Sequence, residues 1–432
     1  MTHVKPKPLI RLLGVPLIER VILTAKEAGI NEFIIVVGFL GEQIKEELGD
    51  GRKYGIKIVY VENEDWEKGN GISVFKARKY LQETFILLMS DHILDYQILE
   101  RIINYESSND IVLGIDRREP LKTDTKVLEK NGQIIEIGKE LENSNCIDTG
   151  IFRCTPKVFA FIEEAIKENK TELVDAIAVG SEKGHVGIFD ISTAVSYDSV
   201  ISEDIDAWWI DIDTKEDLKN SRKMLCQQLK KPTDGVISKF INRPISIQIS
   251  KLLVKTSISP NMISFFCFAV AILASVFLSF PAYWALIIGG ILAQITSILD
   301  GCDGEVARLK FQSSTFGGWL DSILDRYADG FFIFGLSLGL WFRTENYWGW
   351  IVGFFALIGS FLNSYSSTKF EEFVNKQTGF FQFLVRRDLR IFIILLGSLF
   401  NQIFWTLFIL GVIMNLEVLR RIIVTSLIYS KD

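Results

Sequence analysis

The sequence predicts an α/β domain in its first half and an all-α bundle of six membrane-spanning helices in its second half. Residues 1 to about 230 are charged and carry only short apolar runs, whereas from about 258 onward Phe, Leu and Ile dominate and the charges fall in short clusters. The 432 residues are enough for two or three domains. A net charge of −6 argues against a basic nucleic-acid binder, so we expect no nucleic acid partner.

The first half alternates between two kinds of segment. Short apolar runs typical of strands are separated by amphipathic stretches typical of helices, such as 17–28 and 73–82. The strand-like runs lie at 32–40, 56–61, 84–90, 110–115 and 186–191. Strands that alternate with helices predict β-α-β units and a largely parallel sheet, which is a Rossmann-like α/β fold.

The second half contains six apolar segments of about the length that crosses a bilayer, which is about 20 residues. They lie near 261–280, 282–300, 316–342, 347–366, 388–403 and 404–423. Lys and Arg concentrate before the first segment, between the second and third, between the fourth and fifth, and after the last. This distribution predicts a multi-pass protein of the cell (plasma) membrane, with both termini and the α/β half in the cytoplasm.

The segment between the halves, 231–257, mixes Ile, Leu and Val with Lys and Arg at helical spacing. We interpret it as a juxtamembrane amphipathic helix, with a plain linker as the alternative. The predicted domains are therefore 1–230, 231–257 and 258–432. Glycines at 289–290 and at 335 and 339 form small-residue surfaces that pack helices either within one subunit or between two.

Four aspartates flank the polar connection between the second and third predicted spans. Asp300 and Asp303 are three residues apart, and Asp321 and Asp325 are four apart. Both spacings place the two carboxylates of a pair on one helix face. Each carboxylate costs about 2.5–3.5 kcal/mol in the centre of a bilayer, so we expect hard divalent cations to compensate them. Four carboxylates can hold two such ions, which polarise phosphoryl groups. Helix capping at the membrane surface is the alternative.

The same stretch carries the spaced motif D-x2-D-G-x2-A-R-x8-G-x3-D-x3-D. Its fixed positions are Asp300, Asp303, Gly304, Ala307, Arg308, Gly317, Asp321 and Asp325. The motif resembles the signature of the CDP-alcohol phosphotransferase family, and I-N-R-P-I-S (241–246) and I-S-P-N (258–261) resemble that family's approach to its first span. The resemblance implies that an alcohol displaces CMP from a CDP-linked donor with the help of two Mg or Mn ions.

The resemblance also implies a role for each position of the motif. Asp300, Asp303 and Asp321 are the implied metal ligands, and Asp325 completes the metal site and serves as the catalytic base. The implied CDP-binding residues are Asp300, Gly304, Ala307, Arg308 and Gly317.

Cations on the predicted cytoplasmic side are candidates for binding the phosphate of an acceptor. They are Arg243, Arg326, Lys369, Arg386, Arg387 and Arg390. The alternative explanation is the ordinary excess of positive charge on that side of a membrane protein.

Short motifs of the first half resemble, in their order, the sugar-nucleotide type of nucleotidyltransferase. They are K-P-L-I (7–10), G-V-P-L-I-E-R-V-I (14–22), N-G-I-S-V-F-K-A (70–77), M-S-D-H (89–92), D-T-G-I-F (148–152) and W-I-D-I-D-T-K-E-D-L (209–218). The resemblance implies a metal ion on Asp91 and Asp211 and phosphate contact by Lys7, with helix capping as the alternative for Asp91. The sequence as given begins after that family's Gly-rich phosphate loop, so we expect it to lack cytidylyltransferase activity, while the domain binds nucleotide weakly or supports dimerisation.

The pairing of the two halves resembles the bifunctional enzymes that make CDP-inositol and join it to inositol phosphate. We therefore expect CDP-inositol as donor and inositol 1-phosphate, a small phosphorylated alcohol, as acceptor, with membrane lipid and a second copy of the chain as partners. A CDP-lipid donor is the competing hypothesis and would make the protein a phospholipid synthase with an inactive first half. An ion-coupled transporter that uses the aspartates as its ion path is a hypothesis of another class.

Overall fold

The computed structural model describes residues 5–194, 208–231, 234–373 and 386–429. The chain divides into two compact units. The first comprises Met1–Ser199 and Glu203–Lys223, and the second comprises Val200–Ser202 and Met224–Asp432.

The first unit is built on a six-stranded sheet. Its strands and those of three smaller pairs are β1 (Arg11–Leu12), β2 (Val15–Pro16), β3 (Glu32–Val37), β4 (Lys57–Glu62), β5 (Phe85–Leu88), β6 (His92–Leu94), β7 (Ile111–Asp116), β8 (Lys126–Lys130), β9 (Gln133–Gly138), β10 (Cys146–Cys154), β11 (Val186–Asp190) and β12 (Trp209–Asp211). The strand order in the large sheet is β5-β10-β7-β11-β9-β8, and the smaller pairs are β1–β2, β3–β4 and β6–β12.

The α/β character agrees with the sequence prediction, but the prediction of a largely parallel sheet is wrong. Among the described strands, only the pairs β7–β11 and β3–β4 run parallel. The cause is a hairpin of β8 and β9 that turns at Asn131 and Gly132, both with positive φ (55° and 80°), after which β10 returns antiparallel to β7 and β5. Asn-Gly suits such a turn because both residues tolerate positive φ.

Among the described residues, seven α-helices belong to this part of the chain. They are α1 (Leu17–Glu27), α2 (Gly41–Leu48), α3 (Asn70–Lys76), α4 (Tyr96–Asn104), α5 (Val158–Lys167), α6 (Leu173–Glu182) and α7 (Lys215–Gln227). The apolar side chains of β7 (Ile111, Leu113 and Ile115) are fully buried, and helix side chains from α5 and α6 share their core. Strand β12 pairs with β6, and this pairing places Asp211 opposite His92.

The second unit is helical. Its helices are α8 (Arg243–Leu253), α9 (Pro260–Ser279), α10 (Tyr283–Leu309), α11 (Thr315–Thr344), α12 (Trp348–Phe373), α13 (Arg387–Leu399) and α14 (Ile403–Tyr429). Among the described residues, three helical stretches are long and apolar enough to cross a membrane: α9, α10 and the Trp348–Ser367 part of α12. The six predicted spans correspond in position to α9–α14, of which α13 has only 13 residues and α11 carries the charged residues of the candidate site.

Glycines let the helices of this unit approach one another closely. A Cβ atom at Gly335 of α11 would lie 2.5 Å from the carbonyl oxygen of Ser275 in α9, and one at Gly339 would overlap the carbonyl oxygen of Leu278. On α10, Gly289 packs against Leu278 and Gly290 against Ser398 of α13 in the same way. The small-residue surfaces noted in the sequence therefore pack helices within one chain.

The stretch before α9 has two unlike faces. A π-helical turn, Ser238–Asn242, continues directly into α8. The side chains of Phe240, Ile245 and Leu252 are exposed, whereas the polar residues Ser246 and Ser250 are buried. The two serine hydroxyls donate hydrogen bonds to a carboxylate of α10, so the polar face packs on that helix.

Candidate active site

Carboxylates of α10 and α11 converge at one place in the helical unit. Asp300, Asp321 and Asp325 each offer an oxygen atom, and these atoms all lie within 4.8 Å of one another. Asp303 accepts a 2.5 Å hydrogen bond from Ser264 Oγ of α9, and its carboxyl group is within hydrogen-bonding distance of that of Asp321. The helical spacings of three and four place each pair on one face, and the short connection between α10 and α11 brings the two faces together.

Arg387, at the start of α13, lies against this acidic cluster. Its Nη1 atom is 2.8 Å from Asp300 Oδ1 and 2.7 Å from Asp325 Oδ1. Its Nε atom is 3.2 Å from Oδ1 of a fifth aspartate, Asp329, which sequence reasoning missed. Asp329 follows Asp325 by four residues, just as Asp325 follows Asp321, so repeated helical spacing was the available signal.

The composition of the cluster fits divalent cations. The carboxylates of Asp300, Asp321 and Asp325 approach one another, and that of Asp303 adjoins Asp321; like charges at this separation repel strongly. Carboxylate oxygens are the ligands that Mg²⁺ prefers, and Mn²⁺ accepts the same donors. The described residues Asp300, Asp303, Asp321 and Asp325 could therefore hold the metal ions that the sequence motif implies.

A cavity of about 210 Å³ opens beside Asp300. Three of the predicted acceptor-binding cations, Arg243, Arg386 and Arg387, line it. Its other lining residues are mainly polar or acidic and include Asp234, Ser238, Asn242, Ser246, Ser297 and Asp388. The cavity thus combines three arginines with three aspartates and other hydrogen-bonding groups.

Arg243 is held by carboxylates on two sides. Its Nε and Nη2 atoms donate to the two oxygens of Asp234 at 2.9 Å, and its Nη1 donates to Glu305 at 2.7 Å. Burial by itself would lower the pKa of Arg243. The hydrogen bonds and negative charges of Asp234 and Glu305 have the larger effect, so the pKa of Arg243 is raised. Burial likewise opposes the charge of Asp234, and Arg243 with the Lys231 amide lowers the pKa of Asp234 below its usual range.

Glu305 is the second residue that the sequence analysis missed. Its side chain is fully buried and accepts hydrogen bonds from Ser246 and Ser250 as well as from Arg243. Glu305 therefore ties α8 to α10 beside the cavity. No spacing rule relates Glu305 to residues about 60 positions earlier in the chain, so the sequence offered no signal for this contact.

The remaining motif residues lie around the cluster. A Cβ atom at Gly304 would lie 3.3 Å from Arg308 Nη1, so the glycine leaves room for that arginine, and Ala307 is buried one turn along. Gly317 donates its amide hydrogen to Ser314 Oγ at the beginning of α11. Arg326 Nη1 is 3.8 Å from Asp325.

Two other predicted cations lie away from the cavity lining. Arg390 is 3.0 Å from Asp329 and donates to Ser360, and Lys369 is exposed on α12.

A separate cluster lies in the first unit. Lys7 Nζ is 2.6 Å from both Asp91 Oδ2 and Asp213 Oδ1, and His92 Nε2 is 3.3 Å from Asp211 Oδ1. Ligand atoms of Asp91, His92 and Asp211 lie within 4.8 Å of one another. The structure thus brings together the three predicted residues and adds His92 and Asp213, which sequence reasoning missed although both lie within quoted motifs.

The charges in this second cluster shift proton affinities. Burial opposes the positive charge of Lys7, but Asp213 and Asp91 outweigh it and raise the pKa of the amine. Burial also opposes the protonated form of His92, and contact with Asp211, the charge of Asp91 and the Thr149 carbonyl outweigh it and raise the pKa of the imidazole. The cluster therefore favours bound positive charge.

Comparison with known proteins gives two family matches. Residues 1–228 match the model of the nucleotidyl transferase family, and residues 257–423 match that of the CDP-alcohol phosphatidyltransferase family. A protein of Rubrobacter xylanophilus named bifunctional IPC transferase and DIPP synthase is 34% identical over 97% of this chain and 92% of its own length. A protein of the same name from Archaeoglobus fulgidus is 32% identical over 98% of this chain and 81% of its own.

Two further proteins each match one half. Archaetidylinositol phosphate synthase of Pyrococcus horikoshii is 32% identical over 42% of this chain and 90% of its own. The solved structure of the inositol-1-phosphate CTP transferase from T. maritima is 26% identical over 52% of this chain and 87% of its own, with a TM-score of 0.44.

Fold, motif and family matches together define a transferase of the CDP-alcohol phosphotransferase class, joined to a nucleotidyltransferase-like unit. More particularly, the chain belongs to the family of proteins named bifunctional IPC transferase and DIPP synthase. This membership confirms the predicted enzyme class.

Proposed function

We propose that the helical unit transfers phosphoinositol from CDP-inositol to inositol 1-phosphate and releases CMP. The observation that carries the proposal is the cavity beside the acidic cluster, where Arg386 and Arg387 offer charge for a phosphate. Polar groups around the same cavity, such as Ser238 and Asn242, suit the hydroxyl groups of a polyol. The names of the full-length relatives agree with this chemistry.

In this proposal Asp300, Asp303, Asp321 and Asp325 hold two divalent ions, Mg or Mn. When bound, the ions neutralise the charge of the donor's diphosphate. Asp325 takes the proton from the attacking hydroxyl of the acceptor. That hydroxyl oxygen bonds to the phosphorus next to inositol, and the bond from this phosphorus to the CMP oxygen breaks. The residues that border CDP are Asp300, Gly304, Ala307, Arg308 and Gly317.

The acceptor is bound by Arg386 and Arg387, which line the cavity beside Asp300. Arg243 lines the same cavity, and its pairing with Asp234 and Glu305 keeps the guanidinium in place there. Arg326 lies beside Asp325, and Lys369 lies on α12; both stay predicted acceptor contacts.

In the first unit, we propose that Asp91 and Asp211 hold a metal ion and that Lys7 contacts phosphate.

A CDP-lipid donor is the second candidate. It is favoured by the likeness of the helical half to the archaetidylinositol phosphate synthase of P. horikoshii. For either donor, we propose that α9–α14 form six membrane spans with both termini in the cytoplasm. The exposed side chains Phe240, Ile245 and Leu252 support contact of 231–257 with the lipid surface. A homodimer stays a prediction.

Arg387→Gln tests the assignment of the acceptor. Because a charge-assisted hydrogen bond contributes about 1.5–3 kcal/mol, we expect the KM for inositol 1-phosphate to rise about 10- to 100-fold. The measurement is CMP release from CDP-inositol by the full-length protein in detergent. The concentration of the acceptor is varied, with inositol 1-phosphate in one series and free inositol in the other.

Arg387→Lys serves as the matched control, because it keeps the charge but loses the planar fork, and we expect a smaller rise. Free inositol lacks the phosphate, so wild type and Arg387→Gln should use it equally poorly. An unchanged KM for inositol 1-phosphate in Arg387→Gln would show that the acceptor phosphate binds elsewhere.

A further inference from the structure

Asp329 is a buried carboxylate that the catalytic motif does not include. Only 6% of its surface is exposed, and it lies one helical turn beyond Asp325 on α11. It is not among the residues that line the cavity beside Asp300. A buried carboxylate is costly unless it is paired and hydrogen-bonded, so its partners indicate what it does.

Both oxygens of Asp329 are committed to partners on other helices. Oδ1 is 3.2 Å from Arg387 Nε, and Oδ2 is 3.0 Å from Arg390 Nη1. Ser360 of α12 completes the group, since its hydroxyl is 3.3 Å from Oδ2 and accepts a 2.7 Å hydrogen bond from Arg390. Arg390 and Ser360 are themselves 8% and 1% exposed. Asp300 and Asp325 also contact Arg387, so it is the contacts with Arg390 and Ser360 that distinguish Asp329 from these two carboxylates.

The Arg387 guanidinium has two edges with different surroundings. Its Nε edge meets Asp329, whereas its Nη1 atom points to Asp300 and Asp325, where the acidic cluster and the cavity meet. The guanidinium is planar, so fixing Nε also fixes the plane in which the other donors lie. Arginine has several rotatable bonds, and a free side chain would lose about 2 kcal/mol of rotamer entropy on binding a ligand. The contact with Asp329 removes part of that loss before the acceptor arrives.

We propose that Asp329 is a positioning residue, which orients Arg387 for the phosphate of the acceptor and does not itself touch substrate or metal. This inference rests on the proposed role of Arg387. Arg390 and Ser360 neutralise and fix Asp329 from behind, so that its Oδ1 atom stays directed at Arg387.

The test is Asp329→Asn in the full-length protein, assayed for CMP release from CDP-inositol with Mg. Asn keeps an oxygen for one contact but loses the charge, so we expect the KM for inositol 1-phosphate to rise about 10-fold. We expect kcat and the KM for CDP-inositol to change less than about 3-fold, and Asp329→Glu to restore part of the affinity. General damage to the fold would not change one KM alone.

A double variant separates a positioning role from a direct one. If Asp329 acts through Arg387, then adding Asp329→Asn to Arg387→Gln leaves the KM for inositol 1-phosphate unchanged. A further rise in the double variant, or a loss of kcat with unchanged KM in the single variant, would overturn the inference. An unchanged KM in Arg387→Gln would overturn the proposed role of Arg387 and this inference with it, whereas absence of CMP release from CDP-inositol by the wild type would contradict the proposed function.

Should Asp329→Asn fail to fold, Ser360→Ala provides the test. It removes one neutral contact to Asp329, so we expect the KM for inositol 1-phosphate to rise about 3-fold. In a protein that already carries Arg387→Gln, Ser360→Ala should cause no further rise. An equal KM for Ser360→Ala and wild type would contradict the proposal that Asp329 positions Arg387.

Discussion

Asp325→Asn is expected to lower the rate of CMP release about 1,000-fold or more. The variant loses a proton acceptor, which alone contributes about 10²- to 10⁴-fold in enzymes, and it also loses a metal ligand. The amide of Asn is nearly isosteric, so packing of α11 should be unchanged. Single-turnover and steady-state CMP release at saturating CDP-inositol, inositol 1-phosphate and Mg measure the effect.

Glu345→Gln is a suitable control for this variant. It removes one carboxylate at the opposite end of the same helix, where the side chain is exposed, and should retain wild-type turnover. Full turnover in Asp325→Asn would show that the catalytic base is another group. A loss of the same size in Glu345→Gln would show that the assay reports a general effect on the protein.

Asp300→Asn is expected to lower turnover about 100-fold or more at moderate Mg and to shift the Mg requirement upward. Asp300 contributes an oxygen to the acidic cluster and is also one of two carboxylates that contact Arg387 Nη1. Its loss therefore weakens metal binding and releases Arg387 on one side. The measurement is CMP release as a function of Mg and of Mn concentration, with removal of divalent ions by a chelator as the zero point.

Two results would contradict the metal assignment for Asp300. One is an unchanged Mg dependence in Asp300→Asn, and the other is full turnover of the wild type after chelation. Glu345→Gln again provides the control, and its Mg dependence should equal that of the wild type.

The parts of the site that the sequence predicts are those in which local helix geometry places residues together. Asp300 with Asp303, and Asp321 with Asp325, share a face because of their spacing, and the structure brings the two pairs together. The same rule extends to Asp329, which lies one helical turn beyond the last position of the family motif. The enzyme class followed from the motif, and the family matches confirm it.

The contacts that the sequence does not predict join residues far apart in the chain. The pairing of Arg243 with Glu305 spans about 60 residues, and the hydrogen bonds of Asp329 reach from α11 to α12 and α13. The wrong prediction of a parallel sheet has a similar origin. The hairpin turn at Asn131 and Gly132 is a local signal, but which strand β10 then pairs with depends on tertiary packing.

The most direct test of the proposed function is the choice of donor by the purified full-length protein with Mg. CMP release is measured with inositol 1-phosphate as acceptor and either CDP-inositol or a CDP-lipid, such as CDP-diacylglycerol or CDP-archaeol, as donor. We predict release with CDP-inositol that requires both inositol 1-phosphate and Mg. Release only with a CDP-lipid would contradict the proposal and show that the helical unit is a phospholipid synthase.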